Sequence, residues 1–170
     1  MSRSIQGLAM RALVVICAVG FLACAAMAQQ GEFSGFGGVT HNDSPGDGAK
    51  GATGGGFGFS GGYFWKSNFL FQGEFNYERV SGANGETYAF GPEYIFKLKN
   101  DKFNPFLRAD FDIVHGGNET KPGFGLGGGV RVAGGKNWGI RPEFKFVKAV
   151  DIPVFEVFDG GVYYDFGNKK

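Results

Sequence analysis

The sequence predicts an all-β fold: an eight-stranded antiparallel up-and-down transmembrane β-barrel with a charged, filled lumen. Three observations predict it. Residue character alternates with a period of two through eight segments of roughly ten residues, as strands with one apolar face require. Composition pairs 32 glycines with 20 phenylalanines and only 6 prolines, an aromatic load that glycine-rich disordered chains lack. Finally, the connections between segments alternate between longer polar stretches and short turns, which suits strands running up and down.

The first thirty residues stand apart. Arg3 and Arg11 precede an apolar run from Ala12 to Ala23 and a small-residue site at Ala26-Met27-Ala28. This is the pattern of a secretory signal peptide over residues 1–28, cleaved after Ala28. The run is short of the roughly 20 residues of a spanning helix, and Phe21-Leu22-Ala23 lacks the aliphatic residue expected three before a lipid-modified Cys24. Residues 29–170 are then a single barrel domain. Cys17 and Cys24 both fall in the leader, so the exported chain has no disulfide, thiol nucleophile or cysteine metal site. Its charge is close to neutral, without the basic surplus a nucleic-acid partner needs.

Along the exported chain the first strand is expected near Glu32 to Thr40, glycine-rich and faintly patterned, followed by the turn formers Asn42-Asp43-Ser44-Pro45-Gly46-Asp47-Gly48. The second, about Gly54 to Lys66, sets Phe57, Phe59, Tyr63 and Trp65 on one face and turns at Ser67-Asn68. The third, Phe69 to Val80, opposes Phe69, Phe71, Phe75 and Tyr77 to Gln72, Glu74, Asn76 and Glu78, which makes a hairpin with the second. After a loop from Ser81 to Glu86, the fourth strand runs from Thr87 to Leu98 with Glu93 and Lys97 on its polar side. The fifth, Pro105 to His115, sets Leu107, Phe111 and Ile113 against Arg108, Asp110 and Asp112; the sixth, Phe124 to Ala133, sets Leu126, Val130 and Val132 against glycines and Arg131. The seventh, Trp138 to Phe146, alternates Trp138, Ile140, Pro142, Phe144 and Phe146 with Gly139, Arg141, Glu143 and Lys145, and the eighth spans about Val154 to Phe166. Pro142 cannot donate to a ladder, so a bulge or a missing hydrogen bond is expected there.

The polar faces carry Glu74, Glu78, Glu93, Lys97, Arg108, Asp110, Asp112, Arg131, Arg141, Glu143, Lys145, Asp159 and Asp165. Against hydrocarbon, a charge at mid-depth costs about 2–4 kcal/mol, so these groups are expected to point inward. Both signs are mixed, which allows an ionic network to fill a lumen only wide enough for side chains. A soluble barrel with aromatics inside is the competing arrangement; nearly every strand has too many large apolar groups on one face for so small a lumen. Trp65 and Trp138 both abut short turns, where an aromatic girdle at the membrane interface belongs.

The last strand, Asp159-Gly160-Gly161-Val162-Tyr163-Tyr164-Asp165-Phe166, resembles the assembly signal of bacterial outer-membrane barrels in Asp159, Gly161, Tyr164 and Phe166. It departs from the commonest form in the four residues that follow Phe166. Together with Asn104-Pro105-Phe106, the run Gly125 to Val132 and Ile140-Arg141-Pro142-Glu143-Phe144, the mature chain resembles the small outer-membrane β-barrel family, akin to the transmembrane domain of outer membrane protein A and the outer membrane protein X group. The resemblance implies a bacterial outer-membrane location, outer-membrane lipid as surroundings, the barrel assembly machinery as a partner in biogenesis, and no cofactor.

Motifs for other chemistry are weak. Gly56-x-Gly58-x-x-Gly61 and Gly123-x-Gly125-x-x-Gly128 have dinucleotide spacing but no helix after them on which a pyrophosphate could dock. His41 and His115 are expected at the outer rim, with no serine near His115 to form a nucleophile and base pair. Asp43-x-x-x-Asp47 lacks the ligand density of a calcium loop, and Asn118-Glu119-Thr120 carries no weight as a glycosylation site in a bacterial-type chain. The expected role is non-enzymatic, structural or binding a surface ligand at the loops; a narrow gated channel and a lipid-modifying enzyme at the outer rim are the alternatives.

Overall fold

A computed structural model describes residues 30–42, 51–100, 102–117 and 119–167. The expected leader, the Asp43 and Asp47 turn formers and Asn118 lie outside the described residues. Eight antiparallel strands close into one barrel: β1 Gln30–Asn42, β2 Ala52–Lys66, β3 Phe69–Val80, β4 Ala83–Ile95, β5 Phe103–Gly116, β6 Glu119–Ala133, β7 Trp138–Ala149 and β8 Phe155–Gly167. Closure is made by β1 against β8, from Gln30 opposite Gly167 to Asn42 opposite Phe155. No edge strand is left to template aggregation, and every ladder is internal, as a lipid-embedded sheet requires.

The barrel is inverted relative to a soluble one. Among the described residues, eighteen buried side chains are polar or charged and only nine are apolar, while Phe57, Phe124, Leu126 and Phe158 are 60% or more exposed. Strand β7 shows the alternation without a fault, from exposed Trp138 to buried Ala149. The aromatics therefore face outward, and the soluble arrangement is excluded by the burial of the charges.

Several expectations about strand ends are corrected. The β3–β4 connection is not the loop Ser81 to Glu86 but a two-residue turn, Ser81 at φ 50° and Gly82 at φ 85°. Positive φ at both central positions is the type I′ geometry that matches strand twist, so the ladder continues through Ala83 and Asn84, opposite Val80 and Arg79. Strand β6 likewise begins at Glu119 rather than Phe124, leaving two residues between β5 and β6. The expected contrast of long and short ends therefore fails: the seven-residue connection after β4 lies at the same end as the Ser67-Asn68 turn. Lys97 is corrected too. Strand β4 ends at Ile95, so Lys97 is exposed in a connection and not in the lumen.

Pro142 behaves as its chemistry dictates, on one side only. Toward β8 the ladder runs unbroken through Pro142 opposite Gly160. Toward β6 it stops at Gly129 opposite Glu143 and resumes at Val132 opposite Ile140, without a change of register. Pro92 leaves a similar gap between β4 and β5, where pairing skips from Phe90 opposite Phe111 to Glu93 opposite Arg108. Among the described residues the one register shift between paired strands lies elsewhere, between Phe64 and Lys66 of β2. Trp65, between them, is 73% exposed, on the outer face where alternation with Phe57 and Phe59 puts it.

Candidate functional site: the ionic lumen

Four cations organise the lumen, and each comes from an inward position of a strand on the β5–β7 side. Toward the end where β1 begins and β8 ends, Arg131 pairs with Glu32 and, at 3.0 Å, with Asp165. Arg141 reaches Glu93 at 2.6 Å, Glu143 at 2.9 Å and Glu32 at 3.2 Å. Higher in the barrel, Arg108 pairs with Glu74, with Asp110 at 2.8 Å and with Glu143 at 3.1 Å. Lys145 completes this group, 3.1 Å from Asp112 and 3.4 Å from Glu74. Glu143 touches both Arg108 and Arg141 and so joins the two groups into one network.

The network stitches β1, β3, β4, β5, β6, β7 and β8 together across the interior. Such groups could not be buried singly, because desolvating an isolated charge costs several kcal/mol; opposite charges and hydrogen bonds together offset that cost. Glycines supply the room. A Cβ at Gly125 would come within 2.6 Å of an Asp112 oxygen and 2.8 Å of the Lys145 side chain, so the glycine-rich inner face of β6 is what lets the ion pairs lie flat against the wall. The two GxGxxG runs are strand glycines of β2 and β6, with no helix after either.

Apolar and aromatic side chains close the network at both ends. The guanidinium of Arg141 lies 4.4 Å from the Phe106 ring centre and that of Arg131 4.3 Å from Tyr163, with buried Leu70 and Ile95 nearby in the lumen wall. At the other end Val147, Phe155 and Val157 cluster, with Val114 and Ile152 packed on them. Two cavities in between have volumes of about 10 Å³ each, the size of a single water. The interior is a plug of side chains and not an open pore.

Nine of the ten residues expected in the network belong to it. Glu78 does not: it is only half-buried on the inner face, and no ion pair among the described residues includes it. Glu32 was missed, although it is 2% exposed and meets two arginines; so was Gln72, whose amide lies between Glu93 and Arg141. Of the last-strand residues, Asp159 faces the lumen and Tyr164 is 51% exposed on the outer face, while the Phe166 ring covers Gly31 of β1. Gly161 leaves space for Phe36, whose Cβ would lie 2.6 Å from an added methyl.

Trp65 and Trp138 occupy the same end of the barrel. Edge contacts link Trp65 to Phe69, Phe69 to Tyr94 and Tyr94 to Phe96, so the outer surface carries a continuous aromatic arc there. The histidines sit at the opposite end, and each makes a cross-strand bond that the sequence did not suggest: His41 Nδ1 to Thr53 Oγ1 at 2.9 Å and His115 Nδ1 to Thr120 Oγ1 at 2.8 Å. Among the described residues no group of three metal-ligating side chains comes together.

An inverted eight-stranded barrel with a salt-bridged plug is the architecture to which the sequence comparison also leads. Residues 14–166 match the family model of the outer membrane protein beta-barrel domain. The chain belongs to this family. It is therefore a protein of the bacterial outer membrane. No curated protein sequence matches the chain. Similar solved barrels include Neisserial surface protein A, at 16% identity over 82% of this chain and 98% of that one with a TM-score of 0.62. The N-terminal β-barrel domain of Pseudomonas aeruginosa OprF follows at 14% identity, 82% and 98% coverage and a TM-score of 0.61. Ail, the attachment invasion locus protein of Yersinia pestis, has 17% identity, 80% and 99% coverage and a TM-score of 0.59. At these identities the outer-membrane β-barrel family shares its fold with this chain, and the role of each neighbour remains its own.

Proposed function

We propose that the protein is a non-enzymatic outer-membrane barrel that acts at its surface, with the loops at the end where β1 finishes and β8 starts binding an external ligand. The observation that carries this reading is the closed interior. Arg108, Arg131, Arg141 and Lys145 are each 5% exposed or less and held by carboxylates from several strands, so none of these four cations is open to a passing solute. What is left is the rim, where nine residues, 43–51, separate β1 from β2. Two of the similar barrels are named for a surface protein and for attachment and invasion, which favours the same kind of role here.

In this reading the end where β1 begins and β8 ends faces the periplasm. Trp65 and Trp138 anchor that interface, and Asp159, Gly161, Tyr164 and Phe166 are read by the barrel assembly machinery. Planar-bilayer recording tests the proposal against a narrow channel: the reconstituted protein gives no steady current. A sustained current that disappears on Arg141→Ala or Glu143→Ala substitution would replace the surface role with a gated pore. Lipid profiles of cells carrying wild type or His115→Ala are expected to be identical; a difference would favour an enzyme at the rim.

A further inference from the structure

The two ends of the barrel differ in exposed charge. Where β1 begins and β8 ends, Lys66, Lys97, Lys99, Lys102 and Lys136 are exposed. The connections at that end, residues 67–68, 96–102 and 134–137, contain one acidic residue, Asp101. At the opposite end exposed Arg79 and Lys148 share the rim with Glu119 and Asp151, the two exposed carboxylates among the described residues. Backbone bonds hold the basic end as one platform: Asn68 O accepts from Ile95 N at 2.9 Å, Lys102 O from Ala133 N at 2.8 Å and Asn137 O from Asp165 N at 2.7 Å.

The irregularity in β2 serves the same surface. Lys66 falls opposite Phe69, whose ring lies on the outer face against Trp65 and Tyr94, and residues directly opposite share a face. Strict alternation after Trp65 would turn Lys66 inward; the extra residue of the bulge leaves indole and ammonium side by side on the outside. Lys97 follows Phe96, the last ring of the aromatic arc. Phe96, Leu98 and Phe103 are 41%, 49% and 45% exposed and interleave with Lys97, Lys99 and Lys102, the Lys102 Nζ lying 6.0 Å from the Phe103 ring centre.

We propose that this rim binds the phosphate headgroups of anionic phospholipid in the periplasmic leaflet, with Lys66 and Lys97 as the contacts beside the arc. The proposal rests on the orientation that turns this end to the periplasm. The apolar side chains decide for a lipid surface over a soluble polyanion. A polyanion would leave Phe96, Leu98 and Phe103 in water, whereas a leaflet takes up the rings and the lysine stems and keeps the ammonium groups at the phosphates.

The test reads Trp65 fluorescence in symmetric nanodisc bilayers of phosphatidylcholine with a minor share of phosphatidylglycerol, using folded Trp138→Phe protein and brominating each lipid in turn. At low salt, brominated phosphatidylglycerol quenches as though enriched about fivefold for each lysine engaged, and high salt weakens the preference. Lys66→Gln combined with Lys97→Gln brings the two lipids level; Arg79→Gln, at the other end, leaves the preference in place. Equal quenching by both lipids, or a preference indifferent to the two lysines, would overturn the proposal. So would purified peptidoglycan that binds the protein through these lysines while the lipids quench equally. Symmetric bilayers make this reading independent of orientation, which has its own check: Lys99→Cys in intact cells stays unlabelled by a maleimide on a polyethylene glycol too large for outer-membrane pores. Labelling there would overturn the periplasmic placement even with the lipid preference intact.

Discussion

Arg141 Nη2 lies 2.6 Å from Glu93 Oε2, tying β7 to β4 across the lumen, and the Arg141 guanidinium also rests on the Phe106 ring. Truncating Arg141 leaves three carboxylates short of their cation. Arg141→Ala is expected to destabilise the barrel by about 3–5 kcal/mol, read from urea unfolding in micelles or bilayers. Replacing Arg141 and Glu93 together by Met and Leu costs less than Arg141→Ala alone, because no uncompensated charge stays behind at that contact. A double variant as unstable as the single one would show that the pair is not coupled in this way.

The outward face can be probed at Leu126, in the middle of β6 and 66% exposed. Leu126→Arg is expected to lower stability in bilayers by about 2–4 kcal/mol, the cost of an arginine at the membrane midplane. The substitution Leu126→Phe should change it little. Equilibrium folding into liposomes measures both, and an arginine tolerated without loss would mean that this face does not meet hydrocarbon.

The hairpin between β3 and β4 depends on Ser81 and Gly82, both at positive φ. Gly82→Ala forces a Cβ into that conformation and should cost about 1 kcal/mol, whereas Ser81→Asn supplies the Asn-Gly pair that type I′ turns favour and should add a few tenths of a kcal/mol, roughly. Chemical denaturation with both variants side by side gives the ordering.

Which parts of this architecture were legible follows from how local their causes are. The alternation of β7 needs nothing beyond its own side chains, so Arg141, Glu143 and Lys145 could be placed inside from sequence. Glu32 could not, because its neighbours Gly31, Gly35 and Gly37 give β1 no apolar stripe to define a face. Lys97 misled for the opposite reason: alternation continues past Ile95, after the strand has ended. Ser81 and Gly82 read as a loop when two residues suffice to turn the chain. Partner choice is the least local property of all. Arg141 and Glu32 are 109 residues apart and meet only because β8 closes on β1. The Trp65 bulge likewise depends on register with β3, which no pattern within β2 reveals.

Pro142 offers a test of how much a missing ladder contact matters inside a closed barrel. Its pairing is intact toward β8 and absent toward β6, where its nitrogen has no hydrogen to give. Pro142→Val keeps an apolar outward side chain, restores the donor and suits a strand. The added hydrogen bond should raise stability by about 0.5–1.5 kcal/mol, and amide exchange at position 142 should be slow. Unchanged stability with rapid exchange would mean that the gap is set by the wider β6–β7 geometry around Arg131 and Arg141, and not by the proline itself.

The aromatic arc sets the depth of the barrel. Trp65 and Trp138 are both exposed at the end where β1 begins and β8 ends, 73% and 49%, yet they lie beside different turns, after β2 and before β7. If that end is a membrane interface, both indoles sit at one level near the headgroups. Single-tryptophan variants, each with the other residue changed to Phe, should then be quenched most by lipids brominated close to the headgroup and least by those brominated near the chain ends. Quenching greatest at the bilayer centre for either residue, or no quenching at all, would move the apolar band away from where β2 and β7 place it. The same preparation provides a check on closure: an intact ionic plug keeps the barrel folded in unboiled detergent, so its migration on a denaturing gel should shift on boiling.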